Sequence, residues 1–388
     1  MGLSHATSSP KWSDIPPDLA GLILCRLTSD ADQLSFGDVC RDWRHATQQQ
    51  RGSMPWLNLV PGVYQSIADG TVHCFGRCHG SSGCWILFYH DPEVGEDDED
   101  GDGGGCIFLR NPFHPSAAPM QIPWTYREPS KIIIWSSSVV LLHRGICKIA
   151  PSSPADMSGP HQPCLELTGY SGDYADMSFY RGRIFTVTHF GELFSHDILG
   201  YRTEHVMNQS MERNNQPMNK IVRHLVVSAD KKKLLMVRWS IPPRKLKVRR
   251  SNTHQKATAV VVYDHRWAMN LHVFEADLAK GQWSEVKDLG GQVIFVSRSC
   301  CRAFGPLEHC HPRFPQGNLV YILGVDWHMK RDVAGADLCG CTDCRDRVNG
   351  GIPSYCVYDM MSGTLSLVSI CQGPRLGSAR SEWFFPCE

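Results

Sequence analysis

The chain has 388 residues, 39 lysines and arginines against 39 aspartates and glutamates, and 42% hydrophobic residues. That length accommodates two or more average domains, or one large all-β domain with a small one, and the hydrophobic share supports a large buried core. The balanced charge excludes a whole-molecule field favouring nucleic acid, a membrane surface or an acidic substrate, so any such preference must be local.

The opening residues, MGLSHATSSPKW, lack the charged and apolar regions of a secretory signal, and no apolar run approaches the roughly 18 residues of a membrane span. An intracellular protein, in cytoplasm or nucleus, is the expectation, with residues 1–11 disordered. Gly2 invites N-myristoylation, but Ala6 stands where that motif takes Ser or Thr. Seventeen cysteines in such a chain read as reduced thiols, most of them buried among apolar side chains.

Residues 12–52 are the first expected unit. Leu19, Leu22, Ile23, Arg26 and Leu27 recur at three- and four-residue steps, so a helix starting near Pro17 carries an apolar stripe, with Asp18 in its first turn. A second short helix follows Ser29 and Asp30. Asp38, an N-cap residue type, precedes Val39, Cys40, Trp43 and Ala46 at helical spacing and starts a third. Three short helices with one apolar side need a surface to cover it, either a partner or the domain that follows.

These residues carry a resemblance. Ile15-Pro16, then Leu19, Ile23 and Leu27, then Val39-Cys40-Arg41-x-Trp43-Arg44 resemble the F-box, with Ile15 where leucine is usual and Phe36 where many members carry a basic residue. The resemblance implies docking on the Skp adaptor and, through it, on cullin. It makes Ile15, Pro16, Leu19, Ile23, Leu27, Val39, Cys40 and Trp43 the adaptor-binding residues.

Beyond residue 50 the texture turns to β. Short runs rich in Val, Ile, Phe, Tyr and Trp alternate with Gly, Pro, Asp and Ser: 70–75, 84–90, 106–110, 131–143, 182–187, 223–229, 233–239, 260–264, 271–277, 292–297 and 318–324. No convincing helical pattern of helix length separates them, which disfavours parallel βαβ units and favours antiparallel sheets. A weak repeat adds an architecture. Asp197, Asp277 and Asp359 each end a strand-like run, with Gly200, Gly281 and Gly363 close behind and Val206, Val286 and Val368 nine residues on. The spacing, 197 to 277 to 359, is about twice a propeller-blade repeat of roughly 40 to 50 residues, so the motif is expected on the outer hairpin of every second blade.

Residues 273–299, 111–123, 356–369 and the terminal WFFP at 383–386 are similar to plant F-box proteins whose C-terminal half is a KIB-type, kelch-like β-propeller. The expected fold is therefore mainly β: a small N-terminal three-helix F-box, then a propeller of six or seven blades over residues 55–388. The resemblance implies the substrate-recognition subunit of a Skp-cullin-F-box ubiquitin ligase, a non-catalytic receptor whose propeller binds an unknown target protein. A non-ligase scaffold or ligand sensor, and a propeller enzyme working at the central channel, are the alternatives. The enzyme would show inward carboxylates or histidines with shifted pKa values.

Three segments interrupt the strands. Residues 91–102 hold eight acidic side chains and read as a solvated insertion. Asp98, Asp100, Asp102 and Gly103 match the start of a calcium loop, but Leu109 occupies the place of its bidentate glutamate. Five of the seven residues from Arg244 to Arg250 are basic, as in a nuclear import signal, without interleaved aromatics to stack on bases. An insertion and no nucleic-acid partner are expected. Cys339, Cys341 and Cys344 offer a zinc ligand set downstream of His309, Cys310 and His311, but only Cys341 and Cys344 have knuckle spacing, so no metal and no cofactor is expected. No phosphate-binding loop, dinucleotide fingerprint, H-E-x-x-H or G-x-S-x-G elbow occurs.

Overall fold

The computed structural model describes residues 15, 19, 23, 36, 39–41, 43, 55–60, 62–67, 70–75, 78, 80–90, 106–112, 119–123, 130–135, 138–143, 146–151, 165–167, 174–198, 202–207, 220–241, 243–244, 262–263, 270–305, 317–323, 354–369 and 382–385. Pro16, Leu27, the acidic run 91–102, most of the basic run and Cys339, Cys341 and Cys344 lie outside them.

The strands group by sequence into blades, because each short β run meets a turn and pairs with its predecessor. Blade 1 takes β1 (Trp56–Val60), β2 (Val63–Ser66) and β3 (Val72–Cys74). Blade 2 is β4 (Gly80–Ser82), β5 (Trp85–His90), β6 (Cys106–Arg110) and β7 (Met120–Pro123). Blade 3 is β8 (Lys131–Trp135), β9 (Ser138–His143), β10 (Ile146–Pro151) and β11 (Leu165–Leu167). Blade 4 is β12 (Tyr174–Tyr180), β13 (Arg183–Thr188), β14 (Leu193–Asp197) and β15 (Arg202–Met207). Blade 5 has β16 (Lys220–Val227) and β17 (Leu234–Ile241). After a small ribbon of β18 (Pro243–Arg244) and β19 (Val262–Tyr263), it is completed by β20 (Asn270–Asp277) and β21 (Gln282–Val286). Blade 6 is β22 (Val293–Val296), β23 (Cys301–Phe304), β24 (Leu319–Ile322), β25 (Ser354–Asp359) and β26 (Thr364–Ser369). The last strand, β27 (Trp383–Phe384), returns to blade 1, whose order is β27-β1-β2-β3. The protein is a six-bladed β-propeller.

Successive blades touch through their innermost strands: β27 meets β4, β4 meets β8, β8 meets β12, β12 meets β16 and β16 meets β23. A blade wedged between two neighbours can bury both faces of a strand next to the innermost one, while its outermost strand keeps one face in water. Val293–Val296 is buried at every position, whereas β21 buries only Trp283. Each junction holds its own apolar cluster. Leu109 and Leu141 mark blades 2 and 3, Cys147 and Met177 blades 3 and 4, Val187 and Met236 blades 4 and 5, and Val237 and Ile294 blades 5 and 6.

The C-terminal strand closes the ring. Trp383, Phe384 and Phe385 are at most 1% exposed. The Trp383 indole N–H donates to Val296 O at 3.0 Å, and its ring packs edge-on to Phe295 at 5.2 Å, joining blade 1 to blade 6. Full burial of each such ring stabilises by roughly 1.5–3 kcal/mol, so the closing strand, two residues long, is held by side chains more than by its ladder.

The aspartate motif does mark outer hairpins, those of β14–β15, β20–β21 and β25–β26, but they belong to consecutive blades, not alternate ones. The long spacing comes from chain spent between paired strands: residues 242–269 separate β17 from β20, and 323–353 separate β24 from β25. The local chemistry is as expected. Gly281 at φ +64° donates its N–H to Asp277 O, and Gly363 at φ +67° to Asp359 O, while the two aspartate carboxylates accept from Lys280 and Met361 N–H. Blade 6 departs from simple antiparallel order, since β22 pairs in parallel with β24.

Candidate functional site

Among the described residues, the N-terminal segment and the propeller axis are two places where apolar groups lie outside or charged groups inside. The first is the N-terminal segment. Phe36 and Trp43 are buried and stack with centroids 4.2 Å apart, and Ile15 and Cys40 pack against them. The Trp43 backbone N–H points at Cys40 Sγ at 3.4 Å. Around this small core Leu19 is 52% exposed, Ile23 37% and Val39 56%. Of the residues expected to meet an adaptor, Leu19, Ile23 and Val39 therefore face outward. Ile15 and Cys40 are half-buried, and Trp43 lies in the local core. Phe36, the unusual residue of the motif, is Trp43's stacking partner.

The second place is the propeller axis. Lys131 begins β8, Asp176 lies in β12, His224 in β16 and Cys301 begins β23, so four innermost strands deliver one polar group each. Lys131 Nζ donates to both Asp176 oxygens at 2.9 and 3.0 Å, and Leu225 N–H donates to Oδ2 at 2.7 Å. His224 Nδ1 lies 3.9 Å and Cys301 Sγ 4.0 Å from the same oxygen. Ser82, from β4, has its hydroxyl 3.0 Å from Ile132 O and 3.3 Å from Ser299 O. Side chains from blades 3 to 6 thus meet at Asp176, and Ser82 ties blade 2 to the backbone of blades 3 and 6.

Electrostatics follows from that burial. Desolvation pulls on Lys131 toward the neutral amine, but the Asp176 carboxylate outweighs it and holds the ammonium above its ordinary pKa. Burial lowers His224 to about 4, against Asp176, which favours the cation, and with Lys131, which opposes it. Burial pushes the Cys301 thiol up to about 12 despite Lys131. At neutral pH both thiol and imidazole are uncharged, the reverse of the thiolate–imidazolium pair that nucleophilic catalysis requires.

Asp176, His224 and Cys301 place their ligand atoms within 4.8 Å of one another, a donor set zinc would accept. Lys131 opposes that use, because its ammonium already supplies the positive charge at Asp176 and would face any added cation inside a buried site. The cluster reads as an axial clasp. One carboxylate ties β8, its own strand and β16 together. Sequence reading passed over it because strand β12, YADMSFY, does not look apolar enough, and because Lys131 and His224 sat at the ends of runs noted only for their aliphatics. The one available signal was an aspartate alternating with aromatics inside a strand-length segment.

A family model described as KIB1-4 beta-propeller matches residues 65–359, more than half of the chain. No curated protein matches the chain. Among solved structures it is similar to a chain of the S. cerevisiae complex of a Dbp5 variant bound to Nup159, a Gle1 variant, IP6 and ADP, at 7% identity over 74% of each chain with a TM-score of 0.31. It is also similar to apo AztD from Citrobacter koseri, at 8% identity over 85% of this chain and 96% of that one, TM-score 0.30. Kluyveromyces lactis Hsv2 is a third, at 10% identity over 60% and 75%, TM-score 0.26. Among the described residues no helix is long and apolar enough to cross a membrane.

Proposed function

The chain belongs to the KIB1-4 β-propeller family, and from that premise we propose that it is the substrate-recognition subunit of a Skp-cullin-F-box ubiquitin ligase. The observation that carries the reading is the exposure of the large aliphatic side chains Leu19, Ile23 and Val39 in the same N-terminal segment that holds the Phe36–Trp43 core. Large aliphatic side chains on a short segment lose free energy in water unless a partner covers them, and the motif they belong to resembles an adaptor-docking one. The propeller, with its own closed core, binds the target protein. Receptor and adaptor functions then sit in separate parts of the chain.

The subunit contributes proximity and orientation, and its partners carry the reactive cysteine and the RING metal, so no residue of this chain needs to react. The neutral Cys301 and His224 on the axis fit that division of labour. The test is reconstitution: full-length chain, Skp adaptor and cullin are mixed and run on size exclusion. A ternary complex is expected. Absence of adaptor from the chain's peak, with the chain folded, would overturn the receptor reading and return the protein to the scaffold class.

A further inference from the structure

Resting on the receptor reading, we infer that the turns closing β12–β13 and β16–β17 form a basic rim at one mouth of the channel that docks an acidic segment of the target protein. Both turns follow innermost strands of neighbouring blades, so they lie nearest the axis on that face. Arg181 and Lys231 both take left-handed backbone, at φ 48° and 59°. For residues with a Cβ that conformation is strained, and such strain concentrates at recognition sites.

The second turn is clamped from both sides. From blade 4, the Tyr180 hydroxyl donates to Lys232 O, and Arg181 Nη2 donates to the same oxygen at 3.3 Å. From the other flank, Gln292 Oε1 accepts from Ala229 N–H at 2.8 Å. Within the turn, Asp230 accepts from Ser228 Oγ and Lys232 N–H, and Lys231 N–H donates to Ser228 O. The backbone is therefore fixed while Arg181, Lys231 and Lys232 stand exposed. The charges do not cancel. Lys233 is paired with Glu275 at 2.8 Å, and Lys232 is 3.9 Å from Asp230. Arg181 and Lys231 have no carboxylate partner among the described residues. Three exposed cations against one carboxylate leave the rim at net +2. Held on rigid backbone, such cations attract a carboxylate-rich peptide with little ordering cost on the receptor's side.

The test uses full-length chain and a fluorescein-labelled deca-glutamate peptide, with deca-glutamine as the neutral control. Arg181→Asn with Lys231→Asn removes two charges and keeps a residue that tolerates left-handed backbone. Expected is binding of the glutamate peptide only, at least tenfold weaker when salt rises from about 50 to 300 mM, and at least tenfold weaker in the double variant at unchanged melting temperature. Should the double variant melt early, Lys232→Ala, which leaves its backbone carbonyl in place, is expected to weaken binding at least threefold. No glutamate binding by the wild-type chain, or equal binding by folded variants, overturns the rim. Adaptor capture by the same samples separates the two ideas: its loss from the wild-type chain overturns the receptor reading, whereas its retention without peptide binding overturns the rim alone.

Discussion

The propeller axis and the N-terminal segment invert the usual arrangement in opposite ways. On the axis a lysine, an aspartate and a histidine are buried, while at the N-terminal segment a leucine, an isoleucine and a valine stand in water. The buried groups are matched within the fold, since Asp176 accepts from Lys131 twice and from Leu225 N–H. The exposed ones have no covering surface among the described residues. Matched polar groups inside a fold serve the fold, and unmatched apolar groups outside it point to a partner. That difference gives the axis a structural role and supports the proposed docking role of the N-terminal segment.

The largest effect that would sharpen the comparison is on the axis. Asp176→Ala leaves the Lys131 ammonium buried without its counter-charge, and breaking one partner of a buried pair costs about 3–5 kcal/mol. Urea unfolding of the variant should lose stability in that range. A loss below about 1 kcal/mol would mean that the axis admits water and is no clasp.

A pH effect of comparable size follows. His224 and His196 are both buried and lowered to about 4 from an ordinary value of 6.5; His196 accepts or donates at both ring nitrogens, to Thr186 at 2.8 Å and Thr203 at 2.9 Å. Between about 4 and 6.5 the unfolded chain binds protons that the folded one refuses, so stability falls as pH drops through that window and is flat above it. The slope is at most about 1.4 kcal/mol per pH unit for each histidine. Melting curves from pH 7 to 4.5 check this, and His196→Asn should remove roughly half of the slope. A flat profile would show that neither histidine is as dry as its packing implies.

Smaller again is Gly281→Ala. Gly281 sits at φ +64° and an added Cβ would lie 3.1 Å from Val206 O of the neighbouring blade, so about 1–2 kcal/mol is expected. Gly182, also at positive φ but with open space around it, should cost less on the same change. Equal costs would mean that blade contact adds nothing to backbone strain. Smallest of all is the effect on folding of Leu19→Ser, which removes an exposed side chain and should stay within about 0.5 kcal/mol.

Much of the fold was legible because many strands of the blades are bounded aliphatic runs: KIIIW before SVVLLH, KLLMVRW, LHVFEAD and QVIFVS all overlap observed strands. Two kinds of strand escaped. Outer strands such as β15, RTEHVM, are polar because one face meets water, and inner strands such as β12 carry the axial polar groups. The hairpin chemistry at Asp277 and Asp359 was readable locally, but its blade spacing was not, because chain length spent between paired strands leaves no mark on the strands themselves. The N-terminal pattern carried the residue types, while the stacking of Phe36 on Trp43 is a contact that spacing does not dictate. The axial clasp joins Lys131, Asp176, His224 and Cys301 across four blades, a separation at which sequence carries no periodic signal.

The most direct test of the division between a self-contained propeller and a docking segment is a titration of Skp adaptor against full-length chain and against Leu19→Asp with Ile23→Asp. The wild-type chain is predicted to bind, and the double variant to bind at least tenfold more weakly, about 1.4 kcal/mol or more, while its thermal unfolding coincides with that of the wild type. Equal affinity of the two chains, or no adaptor binding by a folded wild type, would contradict the account.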